Sequence, residues 1–293
     1  MLKLVKSMLS RYYALEFAGS VAELDKREIA LMYEEGKMLR HKHFNDISQL
    51  RQYLDRFPPI HLYYSTAYYS NPSAVTMEAK GWLGADVVFD IDSDKLDCDR
   101  YYKCISEGHY YASVIYDILK TEIGETPEVR FSGTRGFHIV SYKLKTLSRD
   151  GRTNLVQYIF SRYKHAVKYI HRVEVSPKIG SMRRAGAQLL SDKAIDVQVV
   201  LDVHRLIRFP DSVHGKSGLR CVKIELDKSY DPYSIIEKAM WARGVLKVNV
   251  VKREQHPKDK IFDIECGGVC TLPAQVALYA LLRGFAEPLR KGV

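Results

Sequence analysis

The stretch ADVVFDID at residues 85–92 constrains this chain more than any other. Val87, Val88, Phe89 and Ile91 crowd its middle, the pattern of a buried strand. Positions i and i+2 of a strand share a face, so Asp90 and Asp92 sit side by side at the end of an apolar run. Like charges that close repel, and each raises the other's pKa unless a cation lies nearby. Carboxylate oxygens suit a hard divalent ion, Mg²⁺ or Mn²⁺. The plainer alternative has one carboxylate in solvent and the other capping the next turn, so the pair needs further signals before it means a metal.

The rest of the chain sets the fold class. MLKLVKSMLSRYY at the start carries Lys3 and Lys6 inside its apolar run and no small-residue cleavage site; it reads as a first helix and not a signal peptide. Residues 46–56 read as a short helix capped by Asn45 or Asp46, and 61–69 as a strand running into a loop. Tyr111, Val114, Ile115, Ile118 and Leu119 recur at helical spacing within 99–122, with Gly124 as the stop. Residues 128–143 read as two strands around a tight glycine turn, and 152–172 as a helix. Strands are expected at 194–203 and 218–227, then a helix opened by Asp231 and Pro232. Strands near 245–252 and 259–265 precede a last helix from Pro273. Strands and helices interleave without a regular βαβ rhythm, and several strand pairs look like hairpins. That argues an α/β fold of the α+β type with mixed sheets, not a doubly wound one.

Charge narrows the partner. With 45 Lys and Arg against 35 Asp and Glu, the chain carries +10 and a pI near 9.2, which favours a polyanion. From Lys143 to Arg184 eleven Lys or Arg face only Asp150 and Glu174. No run of about 18 apolar residues exists, so no membrane span is expected. Five cysteines form an odd, sparse set, the profile of a reducing compartment and not of a disulfide scaffold. Scarce Asn and Gln hint at a heat-adapted source.

Two more segments bear chemistry. SGTRGFH, residues 132–138, places glycines on either side of a turn whose N–H groups can converge on an anion. Arg135 adds a planar fork for phosphate oxygens, and Ser132 and His138 flank it. RLIRFPDSVHGKSGL, residues 205–219, packs Arg205, Arg208, His214 and Lys216 into twelve positions. It is not a Walker A loop: Pro210 stands where that motif needs glycine, and no helix follows. Fixed cations beside a carboxylate pair fit a triphosphate held against metal ions. On strand parity alone, either Asp196 or Asp202 completes a metal triad.

FDID, SGTRGFH and the RLIR-P-S-HGKSGL block, in that order, resemble the catalytic small subunit of archaeal and eukaryotic DNA primase, closer to the archaeal branch. REIAL, LRHKHF and HLYYSTAYY fall in the family's order too, so the resemblance covers nearly the whole chain. It implies a primase-polymerase core over residues 1–293: two α/β layers around a groove, with an RRM-like unit carrying the carboxylates and a basic helical insertion at 146–190. Family spacing counted back from Arg208 selects Asp196 as third carboxylate beside Asp90 and Asp92. Ser132, Arg135, Gly136, His138, Arg208, His214 and Lys216 map onto nucleotide contacts, with Arg205, Arg40 and Glu28 as lesser ones.

The resemblance further implies a DNA-templated nucleotidyltransferase that makes primers de novo for replication, with a two-metal Mg²⁺ or Mn²⁺ site. Its partners would be single-stranded DNA template, an RNA or DNA primer, NTPs or dNTPs, and an iron–sulfur large subunit in a heterodimer. Its place would be the cytoplasm, at the nucleoid. A repair-type primase-polymerase and a metal-dependent nuclease are the rival expectations. The sequence departs from the family at the zinc stem that usually follows the D-x-D pair. Only Cys98, Cys104 and His109 are available there, and five helical residues set Cys104 and His109 about 140° apart. Cys266 and Cys270 have no second pair. A zinc-free protein is therefore expected.

Overall fold

Two antiparallel sheets share one groove, and the elements that build them follow local rules. The computed structural model describes residues 3–92, 96, 98–174, 195–196, 200–202, 204–226 and 231–289; for 163–174 and 195–196 it describes the backbone alone. The chain opens with α1 (Lys3–Leu15), β1 (Ile29–Glu34), β2 (Lys37–Lys42), α2 (Ile47–Arg56), β3 (His61–Ser65) and β4 (Ala67–Tyr69). It continues through α3 (Met77–Lys80), β5 (Trp82–Ala85), β6 (Val87–Ile91), α4 (Tyr101–Glu122), β7 (Glu128–Phe131), β8 (Phe137–Ser141) and α5 (Arg149–Glu174). After β9 (Ile195–Asp196), β10 (Leu206–Arg208) and β11 (Val222–Ile224) come α6 (Pro232–Ala239), β12 (Val245–Val250), β13 (Gly268–Pro273), α7 (Ala274–Leu282) and β14 (Ala286–Pro288).

Capping sets the helix ends. The Asp46 carboxylate accepts from the Gln49 amide at 2.9 Å and starts α2, which buries Leu50 and Leu54. Asp231 accepts from the Tyr233 and Ser234 amides, with Pro232 in the first turn of α6. Gly124, at φ +72°, takes the left-handed position just beyond α4. In α1, Val5, Leu9, Tyr12 and Tyr13 recur at the spacing of one helix face, and all four are buried.

The four-stranded sheet runs β10-β3-β1-β2 and the five-stranded sheet β11-β7-β8-β6-β9. A three-stranded sheet, β13-β12-β14, and the β4-β5 pair complete the architecture. Helix α4 packs on β6 and β8 and against α5. This is the α/β arrangement of the α+β type expected, with every described strand pair antiparallel where mixed sheets were expected and the D-x-D strand inside the larger sheet. Val87, Val88 and Phe89 are wholly buried, as their crowding required. Among the described residues no helix is long and apolar enough to cross a membrane.

Three expectations need correction. The strand foreseen at 194–203 is confined, among the described residues, to Ile195–Asp196, and Val200 and Leu201 are helical. Parity along one strand therefore does not relate Asp196 to Asp202. The strand foreseen at 259–265 lies instead at Gly268–Pro273, because β12 pairs Val250 with Gly268 and Val245 with Pro273. The cysteines are not all thiols: Cys98 is bonded to Cys104 and Cys266 to Cys270, with Cα separations of 5.3 and 6.6 Å, and buried Cys221 is free. Both pairs close short loops whose backbone brings the Cα atoms within disulfide reach, a constraint invisible to a count. Of the basic insertion foreseen at 146–190, α5 begins at Arg149, and residues 175–190 lie outside the described residues.

Candidate active site

A single cross-strand row carries the carboxylates. Across the five-stranded sheet Arg130 pairs with His138, His138 with Asp90, and Asp90 with Asp196. Directly opposed residues of antiparallel strands share a face. Asp90 and Asp196 are thus register neighbours, and Asp92 lies one residue beyond the end of β6. Among the described side chains, no three metal-binding groups cluster; Asp196, described by its backbone alone, meets Asp90 through strand register. Asp202 is engaged elsewhere: its carboxylate accepts from the His204 amide at 3.0 Å and pairs with Arg205 at 3.1 Å.

His138 belongs to this row and, like Asp90, borders the cavity described below. Its Nε2 lies 3.6 Å from Asp90, and burial, with Arg130 and Arg208 nearby, pushes the imidazole down to about 3. The ring is neutral at ordinary pH, and its buried Nδ1 has no hydrogen-bond partner among the described residues. Arg130 is held behind it by Glu128, by Tyr142 and by the Tyr64 hydroxyl at 2.9 Å, which joins the two large sheets.

The turn between β7 and β8 is closed by the Ser132 amide donating to the Gly136 carbonyl at 2.9 Å. Two of its positions demand glycine. Gly133 has φ +94°, and a Cβ there would lie 3.0 Å from the His214 side chain and 3.2 Å from the Leu219 carbonyl. A Cβ at Gly136 would come within 2.7 Å of the Ile91 carbonyl, so glycine lets the turn lie against the end of β6. The Tyr101 hydroxyl donates to the Thr134 carbonyl at 2.6 Å and ties the turn's tip to α4. Arg135 donates to the Lys258 carbonyl at 2.7 Å and pairs with Asp259, whose carboxyl, though burial raises it, is held below its usual range by that guanidinium.

The second basic segment folds as a tight loop after β10. The His214 amide donates to the Leu219 carbonyl, and the amides of Ser217 and Gly218 donate to the His214 carbonyl. Buried Ser217 links the two segments: its hydroxyl donates to the Gly133 carbonyl and accepts from the Leu219 amide at 3.1 Å. The Lys216 amide donates to His214 Nδ1 at 3.2 Å, so in the neutral ring Nε2 carries the proton. Burial, reinforced by Arg208, keeps that ring neutral well below its ordinary pKa.

These pieces line one cavity of about 570 Å³, within the ordinary range for small-ligand sites. Asp90, Asp92, Ser132, Arg135, Gly136, His138, Arg208, His214 and Lys216 all border it. Arg40 and Arg205 do not. Arg40 makes a two-point contact with Glu28, at 2.9 and 3.2 Å, and Lys80 is buried against the same carboxylate. His61, Tyr63, Asp259, Tyr279 and Arg283 also line the cavity and were not foreseen. His61 and Tyr63 come from β3, which pairs with β10, Tyr279 and Arg283 from α7 and its C-terminal end, and Asp259 from the turn before β13.

A family model for the DNA primase small subunit matches residues 89–226. The chain is 35% identical to the DNA primase small subunit PriS of Pyrobaculum calidifontis, over 97% of this chain and 99% of that one. It is 30% identical to the PriS of Sulfolobus acidocaldarius, over 97% and 94% of the two chains. Among solved structures, the fold is similar to the polymerase domain of Mycobacterium tuberculosis ligase D in complex with DNA. There the TM-score is 0.51 at 13% identity, over 80% of this chain and 88% of that one. Similarity to the primase relatives runs the length of both chains and includes the segments that line the cavity, so the chain belongs to the DNA primase small subunit family, DNA-directed nucleotidyltransferases of DNA replication.

Proposed function

We propose that the cavity holds a nucleoside triphosphate against two divalent ions, Mg²⁺ or Mn²⁺, carried by Asp90, Asp92 and Asp196. One observation supports this most: Asp196 pairs in register with Asp90, and Asp90 and Asp92 border a cavity whose other walls carry Arg135, Arg208, His214 and Lys216. The donor set is all oxygen, which fits hard divalent ions. Such ions would lower the pKa of an attacking 3′-hydroxyl and carry charge on the leaving pyrophosphate.

The chain's own groups do the rest. Arg135, fixed by Asp259 and the Lys258 carbonyl, presents a guanidinium at the cavity wall. His214 presents a protonated Nε2, and Ser132, Gly136, His138 and Lys216 complete the phosphate contacts. Arg205 and Arg40, paired with Asp202 and Glu28 outside the cavity, are the lesser nucleotide contacts. The remaining basic surface holds single-stranded template and the growing RNA or DNA primer through their backbones, so binding weakens with salt. The small subunit works as a heterodimer with an iron–sulfur large subunit, at the nucleoid, and holds no structural zinc.

The test is equilibrium binding. Arg135→Ala or His214→Ala should weaken Mg-dependent triphosphate binding roughly 10- to 150-fold, the worth of one charge-assisted contact. Affinity for single-stranded DNA should stay near that of the parent. Equal losses for both ligands would move these residues to the nucleic-acid groove.

A further inference from the structure

Arg208 differs from Arg27, Arg130 and Arg135, each of which faces a carboxylate, and from buried Arg152, whose guanidinium donates to the backbone carbonyls of Ala85 and Asp86. Arg27 faces Asp86, Arg130 faces Glu128, and Arg135 faces Asp259. Among the described residues no carboxylate pairs with Arg208. Its Nη1 donates instead to His61 Nδ1 at 2.9 Å, and its Nη2 lies 3.4 Å from the Tyr63 hydroxyl, with the guanidinium 5.0 Å from that ring's centre.

The His61 ring is fully determined by its neighbours. A guanidinium only donates, so Nδ1 must bear a lone pair. The proton then sits on Nε2, 3.2 Å from the Glu35 carboxylate. The Gly215 amide also faces Nδ1 at 3.4 Å, and a Cβ on Gly215 would crowd Nε2 at 2.8 Å. The ring meets His214 edge-on, centroids 4.8 Å apart. Burial, with Arg208 and Lys216, holds the imidazole near 2, so it stays neutral.

We infer that His61 is a positioning residue that aims Arg208 at the triphosphate while leaving its charge uncompensated. A carboxylate in that place would fix the guanidinium equally well but cancel much of its attraction for phosphate. A neutral acceptor fixes direction and leaves the field intact. The role is specific to Nδ1, because only that atom meets Arg208. The inference rests on the triphosphate site proposed above.

An Asn and Gln pair separates the two ring nitrogens, since an Asn side-chain oxygen falls near Nδ1 and a Gln oxygen near Nε2. His61→Gln should weaken Mg-dependent nucleotide binding on the order of tenfold, and His61→Asn should restore most of that loss. Template affinity should hold in both. With Arg208→Lys as background, His61→Gln should add little. Equal effects of Asn and Gln, or full additivity with Arg208→Lys, would overturn the role. If Arg208→Lys alone left nucleotide binding unchanged, the phosphate site itself would fail. A measurement on the parent protein does not depend on the variants folding: ¹⁵N spectra should show His61 Nδ1 unprotonated and Nε2 protonated at neutral pH. The opposite tautomer would overturn the inference.

Discussion

Replacing Ser217 by Ala removes one hydroxyl from a wholly buried position and tests whether the two basic segments are joined as the structure shows. That hydroxyl donates to the Gly133 carbonyl and accepts from the Leu219 amide. All three residues are buried, so water does not replace the lost group. A buried polar group left without its partner costs about 1–3 kcal/mol. With one acceptor and one donor orphaned, the variant should lose roughly 2–4 kcal/mol in chemical denaturation, the lower figures reflecting local relaxation. A drop of roughly 3–7 °C in the melting temperature should accompany it. The Gly133 turn and the His214 loop would also separate, so nucleotide KM should rise about tenfold at unchanged template affinity. A loss below about 0.5 kcal/mol, the range of neutral surface changes, together with an unchanged KM, would refute the link.

Other consequences follow from the same contacts. Arg40→Ala and Arg205→Ala lie outside the cavity and should shift the nucleotide dissociation constant less than about threefold; a loss equal to that of Arg135→Ala would draw them into the phosphate site. His61 is held near 2 and His214 well below its ordinary value, both by burial first and Arg208 second. The unfolded chain therefore takes up protons before the folded one, so their contribution is complete above about pH 6.5 and falls as pH drops. Two such rings should cost roughly 2 kcal/mol between about pH 6 and 5, and a flat stability profile there would contradict their burial. Thiol titration of the denatured, unreduced chain should find Cys221 alone, elemental analysis should find no zinc, and the fold should survive chelators. One zinc per chain with Cys98 and Cys104 reactive would restore a metal stem.

The sequence revealed what is local. The D-x-D strand, the Asp46 and Asp231 caps and the glycine turn are each decided within a few residues by backbone geometry, and each stands where expected. What failed depended on distant partners. β13 is fixed by its register on β12, not by its own alternation, and of 194–203 only Ile195–Asp196 is strand among the described residues, with Val200 and Leu201 helical. His61 meets Arg208 across 147 positions, Ser217 meets Gly133 across 84, and Arg135 meets Asp259 across 124. No periodicity records such contacts. Asp196 over Asp202 rests on the family spacing, and the one register contact that β9 makes at Asp196 is with Asp90.

The central claim is a primer-making site built on Asp90, Asp92 and Asp196, and primer-free synthesis tests it most directly. The assay offers single-stranded DNA and labelled nucleotides, with and without Mg²⁺ or Mn²⁺, to the parent protein and to Asp196→Asn and Asp202→Asn. The parent and Asp202→Asn should both make product, only with the divalent ion, and Asp196→Asn should make none while still binding template. Synthesis that survives in Asp196→Asn, or fails in Asp202→Asn instead, would contradict the account.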